Sequence, residues 1–164
     1  MSKDAPALSP TLTRIRRKER GVQLMEVAIV LPVLLVLLAA IAEFGRYFYV
    51  YSTLSRATRT AVRHVASNSF KGTANADNAA AINLALCGST ATCTSGSEIL
   101  SGLTADNFQI TTSGGSTYFP TTVTVQVVSY NYTPLFNLGN FVAGVSWTSI
   151  SVAPSTSMRY LLSN

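Results

Sequence analysis

The chain has 164 residues, enough for one domain and short for two. Charged residues make up 12% of it, about half the share of an ordinary soluble domain, while 48% are hydrophobic and Ser and Thr contribute 19 each. That balance excludes a cytosolic enzyme with a densely charged surface, and the apolar content excludes a disordered tail.

The formal charge of +5 is unevenly placed. Residues 1–21 carry six basic side chains (Lys3, Arg14, Arg16, Arg17, Lys18 and Arg20) against Asp4 and Glu19, a net +4. From Lys71 onward only five of 94 residues are charged. A surface of Ser and Thr with so few charges suits an exported protein that packs against copies or relatives of itself. The basic arm is not expected to contact nucleic acid, because an apolar run follows at once and no aromatic residue interleaves the cations.

That run, VAIVLPVLLVLLAAIA at 27–42, is sixteen residues without a charge. Leu24, Met25 and Phe44 extend it to roughly 20 residues, or about 30 Å of helix, which spans a bilayer. Pro32 lies inside it, as membrane helices tolerate. The positive-inside rule puts the arm in the cytoplasm and the remainder of the chain outside. Tyr47, Phe48, Tyr49 and Tyr51 follow where an interfacial aromatic belt belongs, and Glu43 and Arg46, one turn apart, are placed to pair at that boundary. The organisation expected is a basic cytoplasmic leader at 1–21, a transmembrane helix at 22–45, an external extension at 46–70 and an extracytoplasmic domain at 71–164. A rival organisation is a secretory signal peptide cut after Ala42, at the small-x-small sequence Ala40-Ile41-Ala42.

Glu26 is the most informative residue of this stretch. A carboxylate near a membrane span costs a few kcal/mol unless it finds a partner. If the chain is cut after Gly21, Val22 bears a new ammonium group one helical turn from Glu26, near the positive end of the helix dipole. Glu26 could pair with its own amine or with that of a neighbouring subunit, and the second pairing would set the axial register of a helical stack. Without a cut, Glu26 is an interfacial acid reaching the cytoplasmic headgroups.

Helical spacing continues beyond the span. Tyr47, Tyr51, Leu54, Thr58, Ala61 and Val65 form an a/d-like seam, to be used either between subunits or against the chain's own sheet. Arg56, Arg59 and Arg63 occupy another face, His64 is expected at the surface or half-buried, and Gly45 is a candidate hinge. A helix over 22–66 would be roughly 67 Å long.

A loop at 67–77 leads to a short helix at 76–87, capped by Asp77 or Asn78. Cys87 and Cys93, in CGSTATC, have the spacing of a small disulfide loop and no metal signature. In an oxidising compartment the bridge is expected, the alternative being two free thiols. Strands are expected at Asn107–Thr112, at Thr121–Tyr132 with a bulge near 127–128, at Val145–Val152 with Trp147, and at an edge over Ser157–Leu162, with a hairpin loop at 112–117. TPLFNLGN (133–140) reads as an apolar loop that covers the sheet or meets a partner. The fold class is α+β: a long N-terminal helix packed on a small antiparallel sheet.

Catalytic constellations are missing. The chain has no GxSxG, HExxH, P-loop or GxGxxG pattern and a single histidine, so no enzyme activity, metal or cofactor is expected. Asn131-Tyr132-Thr133 is a glycosylation sequon by letter alone.

The basic leader, Gly21, Glu26 five residues later and the apolar helix resemble type IV prepilins. The string GVQLMEVAIVLPVLLVLLAAIAEFGRYFYVYSTLSRATRTAVRHVA further resembles the TadE-like proteins of the tight-adherence (Tad) pilus, strongly over about 14–66 and again at YTPL (132–135) and SMRY (157–160). The resemblance implies cleavage of the Gly21–Val22 bond by a membrane prepilin peptidase, Glu26 as the family's acid, and other pilin-like subunits, the Tad assembly machinery and the lipid bilayer as partners. It implies a pilin-like subunit of the bacterial inner membrane, passed on to a surface pilus. Val27 follows the acid where major Tad pilins usually carry tyrosine, which favours a minor pilin or pseudopilin. Two other roles compete: a permanently anchored bitopic scaffold, and a secreted binding protein released at Ala42.

Overall fold

The computed structural model describes residues 11–68, 76–116, 119–136 and 149–161, with side chains from Gly21 and, in the second stretch, from Asn78. Trp147 with the expected strand residues 145–148, residues 137–140 of the apolar loop, the loop at 69–75 and the side chain of Asp77 lie outside the described residues. The chain divides into two compact units, Met1–Ala42 and Glu43–Asn164.

One helix, α1 (Thr11–Ser67), contributes to both units. Its end falls within one residue of expectation, but it starts at Thr11 and not near residue 22. The leader is rich in Arg, Lys and Glu, all strong helix formers, and no Gly or Pro interrupts it between Thr11 and Gly21. Pro32 and Gly45 both lie within continuous helix. In the first unit the large apolar side chains face outward: Val22, Leu24, Ile29, Leu34, Leu38 and Ile41 are all more than half exposed. An 18-residue window of this helix has a mean hydropathy of 2.8 and none of it is buried. It is long and apolar enough to cross a membrane.

The second unit is built on the other end of α1. Val50, Leu54, Ala57, Ala61, Val62 and Val65 are buried, recurring every three to four residues along one stripe. The seam expected from Leu54 to Val65 is therefore used inside the chain, while Tyr51 falls outside it and is exposed. Arg56, Arg59 and Arg63 are exposed on the other side, and His64 is half-buried.

The stripe shares a core with α2 (Ala76–Cys87) and with an antiparallel sheet of β1 (Phe108–Gly115), β2 (Pro120–Val127) and β5 (Ser155–Arg159), in the order β1-β2-β5. The central strand alternates as its sequence demands: Val123, Val125 and Val127 are buried and Thr122, Thr124 and Gln126 half-exposed. On the outer face Gln126 donates to Gln109 at 2.6 Å, and the Thr124 and Ser157 hydroxyls meet at 2.8 Å. Thr58, the polar break in the helical stripe, is fully buried and its hydroxyl meets that of Thr156 at 3.0 Å. A buried hydroxyl without such a partner would be costly.

The strands differ from expectation in three places. Thr112–Gly115 belong to β1 rather than to the hairpin loop, because Gly114 and Gly115 take φ of 68° and 70°, which glycine tolerates and which lets the strand run to its pairing with Pro120. The expected bulge at 127–128 is a strand end. Ser129 turns into the left-handed region (φ 56°), and the chain enters a second, two-stranded ladder of β3 (Asn131–Tyr132) and β4 (Ile150–Ser151). The final strand runs over Ser155–Arg159, two residues earlier than its pattern suggested, because the ladder with β2 begins at Ser155.

Helix α2 begins at Ala76, so Asn78 lies in its first turn, buried, and not at the cap position. The helix ends in a left-handed Gly88 (φ 72°) whose N–H bonds the Leu84 carbonyl at 3.0 Å. Cys87 and Cys93 are joined by a disulfide, with Cα atoms 6.0 Å apart, tying the end of α2 to the following loop.

Leu54 is wholly buried within this core. Leu54→Ala is expected to cost about 3 kcal/mol. In thermal unfolding of the detergent-solubilised chain this lowers the midpoint by roughly 10 °C, whereas Arg59→Ala on the exposed side leaves it unchanged.

Candidate functional site

Two places carry the residues singled out in the sequence. The first is the start of the apolar helix. Gly21, Val22 and Glu26 are all exposed on α1. Val22 and Glu26 are four residues apart, the separation that brings a group at Val22 and a carboxylate at Glu26 onto one helix face. Among the described residues Glu26 has no ion pair, so its charge is open to a partner beyond them. A Cβ added at Gly21 meets nothing within 4 Å, so alanine fits there without a clash. The Gly21–Val22 bond lies inside regular helix, and cutting it requires that the helix open locally.

The second place belongs to the other unit, where α1 leaves the apolar run. Glu43 is buried, 7% exposed. An isolated carboxylate there would cost several kcal/mol, so the donors around it decide whether the arrangement holds. Three converge. The Tyr132 hydroxyl donates to Oε1, the Leu135 N–H lies 3.3 Å from Oε1, and the Phe136 N–H lies 3.4 Å from Oε2. Arg46 places its guanidinium over the Tyr132 ring, 5.5 Å from the centroid, and Tyr47 meets the same ring edge-on at 5.6 Å. Glu43 and Arg46 thus both end on Tyr132, the acid at its hydroxyl and the base over its face. They make no direct ion pair, which corrects the simple boundary pair that helical spacing suggests. A cleft of about 300 Å³ opens beside this cluster, lined by Arg46, Tyr49, Ser101, Tyr130 and Asn131 among others.

Burial pushes the Tyr132 phenol up to about 12, and the Glu43 carboxylate adds to the shift by accepting its proton and by repelling a phenolate; the Arg46 charge pulls the other way. Burial also raises Tyr130, again opposed by Arg46. Both phenols therefore stay neutral, and Tyr132 remains a donor. The link from Glu43 to Tyr132 spans 89 positions of sequence and is invisible to any local spacing rule. Its trace in the sequence is YTPLF. There an aromatic hydroxyl precedes a proline, which has no N–H, and two free backbone donors follow.

Cys87 and Cys93 lie away from either place and act on the end of α2. Among the described residues no group of three His, Cys, Asp or Glu side chains converges.

Residues 21–63 match the model of the family described as TadE-like protein. The match begins at Gly21 and covers the apolar run, Glu43, Arg46 and the first part of the buried stripe. The match covers about a quarter of the chain, and over this stretch the chain is similar to that family. No curated protein and no solved structure matches the chain.

The folded state raises both phenols above their unfolded value of about 10. The stability this supplies is complete below pH of about 10 and is lost as pH rises toward 12. Thermal midpoints of the detergent-solubilised chain should therefore fall in that window, and more shallowly in Tyr132→Phe. At neutral pH Tyr132→Phe removes one of three donors from a buried carboxylate and should cost about 1–3 kcal/mol.

Proposed function

We propose that this TadE-like chain is a minor pilin or pseudopilin, a structural or assembly component of a Tad-type pilus with no catalytic role. It is made as a single-pass inner-membrane precursor, with the basic leader in the cytoplasm and the Glu43–Asn164 unit outside. A prepilin peptidase then cuts it between Gly21 and Val22. The observation that carries this reading is the coincidence of two facts: the family match starts at Gly21, and from there to Ile41 the helix exposes most of its large apolar side chains. Such a surface needs lipid or like helices around it.

The mechanism is packing. In lipid the apolar helix is already solvated, so leaving it for a bundle of helices gains little from the hydrophobic effect. Selection falls to close packing and to Glu26, which has no ion pair among the described residues and is neutralised by the Val22 ammonium of its own or a neighbouring chain. The lipid bilayer, the peptidase, other pilin-like subunits and the Tad assembly machinery are the partners this requires.

One observation favours a second reading. The compact unit begins at Glu43, directly after the Ala40-Ile41-Ala42 sequence, so a cut there would release a complete folded body.

Intact mass and N-terminal sequencing of the protein from host membranes separate these. The expected mature chain starts at Val22, and Gly21→Ala, which the structure accommodates, stays full-length. Glu26→Ala should still be cut but should fail to enter pili, read as its absence from the sheared surface fraction. A start at Glu43 would identify a secreted protein. An uncut chain in a host with active prepilin peptidase would leave a permanent membrane scaffold.

A further inference from the structure

The tip Leu135–Phe136 is bound to the residue that follows the apolar run, and its surface is apolar. Leu135 is 71% exposed and Phe136 47%. Exposed Leu and Phe are ordinary singly, but these are adjacent, and their place along the chain is fixed by Glu43. Glu43 follows Ala42, the last residue of the uncharged run, so whatever bonds to it lies at the depth where the span ends. On α1 Phe44 and Phe48, one turn apart, are also exposed, at 70% and 61%.

The backbone of the tip is prepared in the way a lipid-facing segment requires. A peptide N–H taken out of water must have a partner, and irregular loops fail in membranes because theirs do not. Pro134 has no N–H, and those of Leu135 and Phe136 are both directed to the Glu43 carboxylate. Three successive residues thus offer apolar side chains and no unpaired donor. The same bonds take up the charge of Glu43, so the boundary presents no naked anion.

We propose that this tip is a second membrane contact. Leu135 and Phe136, held by Glu43, insert into the interfacial layer of the outer leaflet beside the point where the helix emerges. The contact depth is the headgroup and upper acyl region, where Tyr, Trp and Phe-rich anchors lie, and not the hydrocarbon centre. With the tip fixed in lipid, the folded unit is held to the bilayer at two points instead of one. The inference rests on the membrane-anchored reading of the helix.

The test places an added indole in the full-length chain, reconstituted into phosphatidylcholine vesicles with and without bromine on the acyl chains. Trp147 is the chain's own tryptophan, and the parent protein supplies its baseline. The variants are Leu135→Trp, Phe136→Trp, Leu38→Trp within the apolar run and Thr111→Trp on the exposed sheet. The added emission of Leu135→Trp and Phe136→Trp is expected to be blue-shifted and lost in brominated vesicles, as for Leu38→Trp, while that of Thr111→Trp persists. Loss for Leu38→Trp with persistence at both tip positions would overturn the tip contact and leave the anchor standing. Persistence at Leu38→Trp would overturn the anchor and the inference with it. Equal loss at Thr111→Trp would replace an inserted tip by adhesion of the whole unit.

Discussion

A carboxylate buried at the first residue of a folded unit is expensive, and the Glu43–Asn164 unit is arranged around satisfying it. Its three donors come from one segment, 132–136, which is brought there by the short ladder of β3 and β4. That ladder exists because Ser129 turns the chain out of the main sheet. At the far end of the same helical stretch the Leu161 N–H bonds the Ala66 carbonyl at 3.1 Å and the Tyr160 hydroxyl donates to the Asn68 carbonyl at 3.0 Å. Between these two fastenings lies the buried stripe from Val50 to Ala66. The helix is thus held by polar contacts at both ends of an apolar seam. The polar contacts fix its register, and the seam supplies most of the favourable energy.

One helix serves two environments, and its chemistry changes at Ala42–Glu43. Before that point most large apolar side chains have no cover among the described residues. After it Phe44, Phe48, Tyr49 and Tyr51 are still exposed, but from Val50 the aliphatic residues narrow to a buried stripe, and the remaining faces carry Arg56, Arg59 and Arg63. The stripe finds its cover in α2 and the sheet, so the second unit has a core of its own. The first shows none among its described residues, and its exposed apolar surface calls for cover from its surroundings. This is the physical content of the division into two units.

Elements set by local rules were legible in the sequence. The apolar run, the helical seam from Leu54 to Val65, the alternation of Val123, Val125 and Val127 and the Cys87–Cys93 loop each follow from a period or a spacing that acts within a few residues. The misplaced features were those decided by distant contacts or by backbone choices no side chain announces. Helical spacing pairs Glu43 with Arg46, yet Tyr132 from another element meets both, donating its hydroxyl to the acid and offering its ring face to the base, because burial rewards three hydrogen bonds over one exposed ion pair. The break at 127–130 reads as a bulge by its change of face. Only the left-handed Ser129 and a partner strand at 150–151 reveal that a second ladder begins there. The leader reads as a charged arm by its run of cations, yet those residues are good helix formers and carry α1 back to Thr11.

The two acids of α1 show what each can be used for. An acid that sets register between subunits has to be open in the single chain, since its energy must be gained on assembly and not before. Glu43 fails that condition. Its lone pairs are taken within the chain, and exposing it would cost those bonds before any new one formed. Glu26 meets it: it is exposed, without an ion pair among the described residues, and one turn from the position that cleavage would turn into a cation. The same reasoning assigns the seam. Leu54, Ala61 and Val65 are spent on the chain's own core and cannot also form a subunit interface. On the pilin reading, the surface left for assembly is the apolar helix from Val22 to Ile41 and the arginine face beyond it. On that reading, recognition between subunits begins with Glu26 and the helix around it, while Glu43 acts earlier, in shaping the unit that the helix carries.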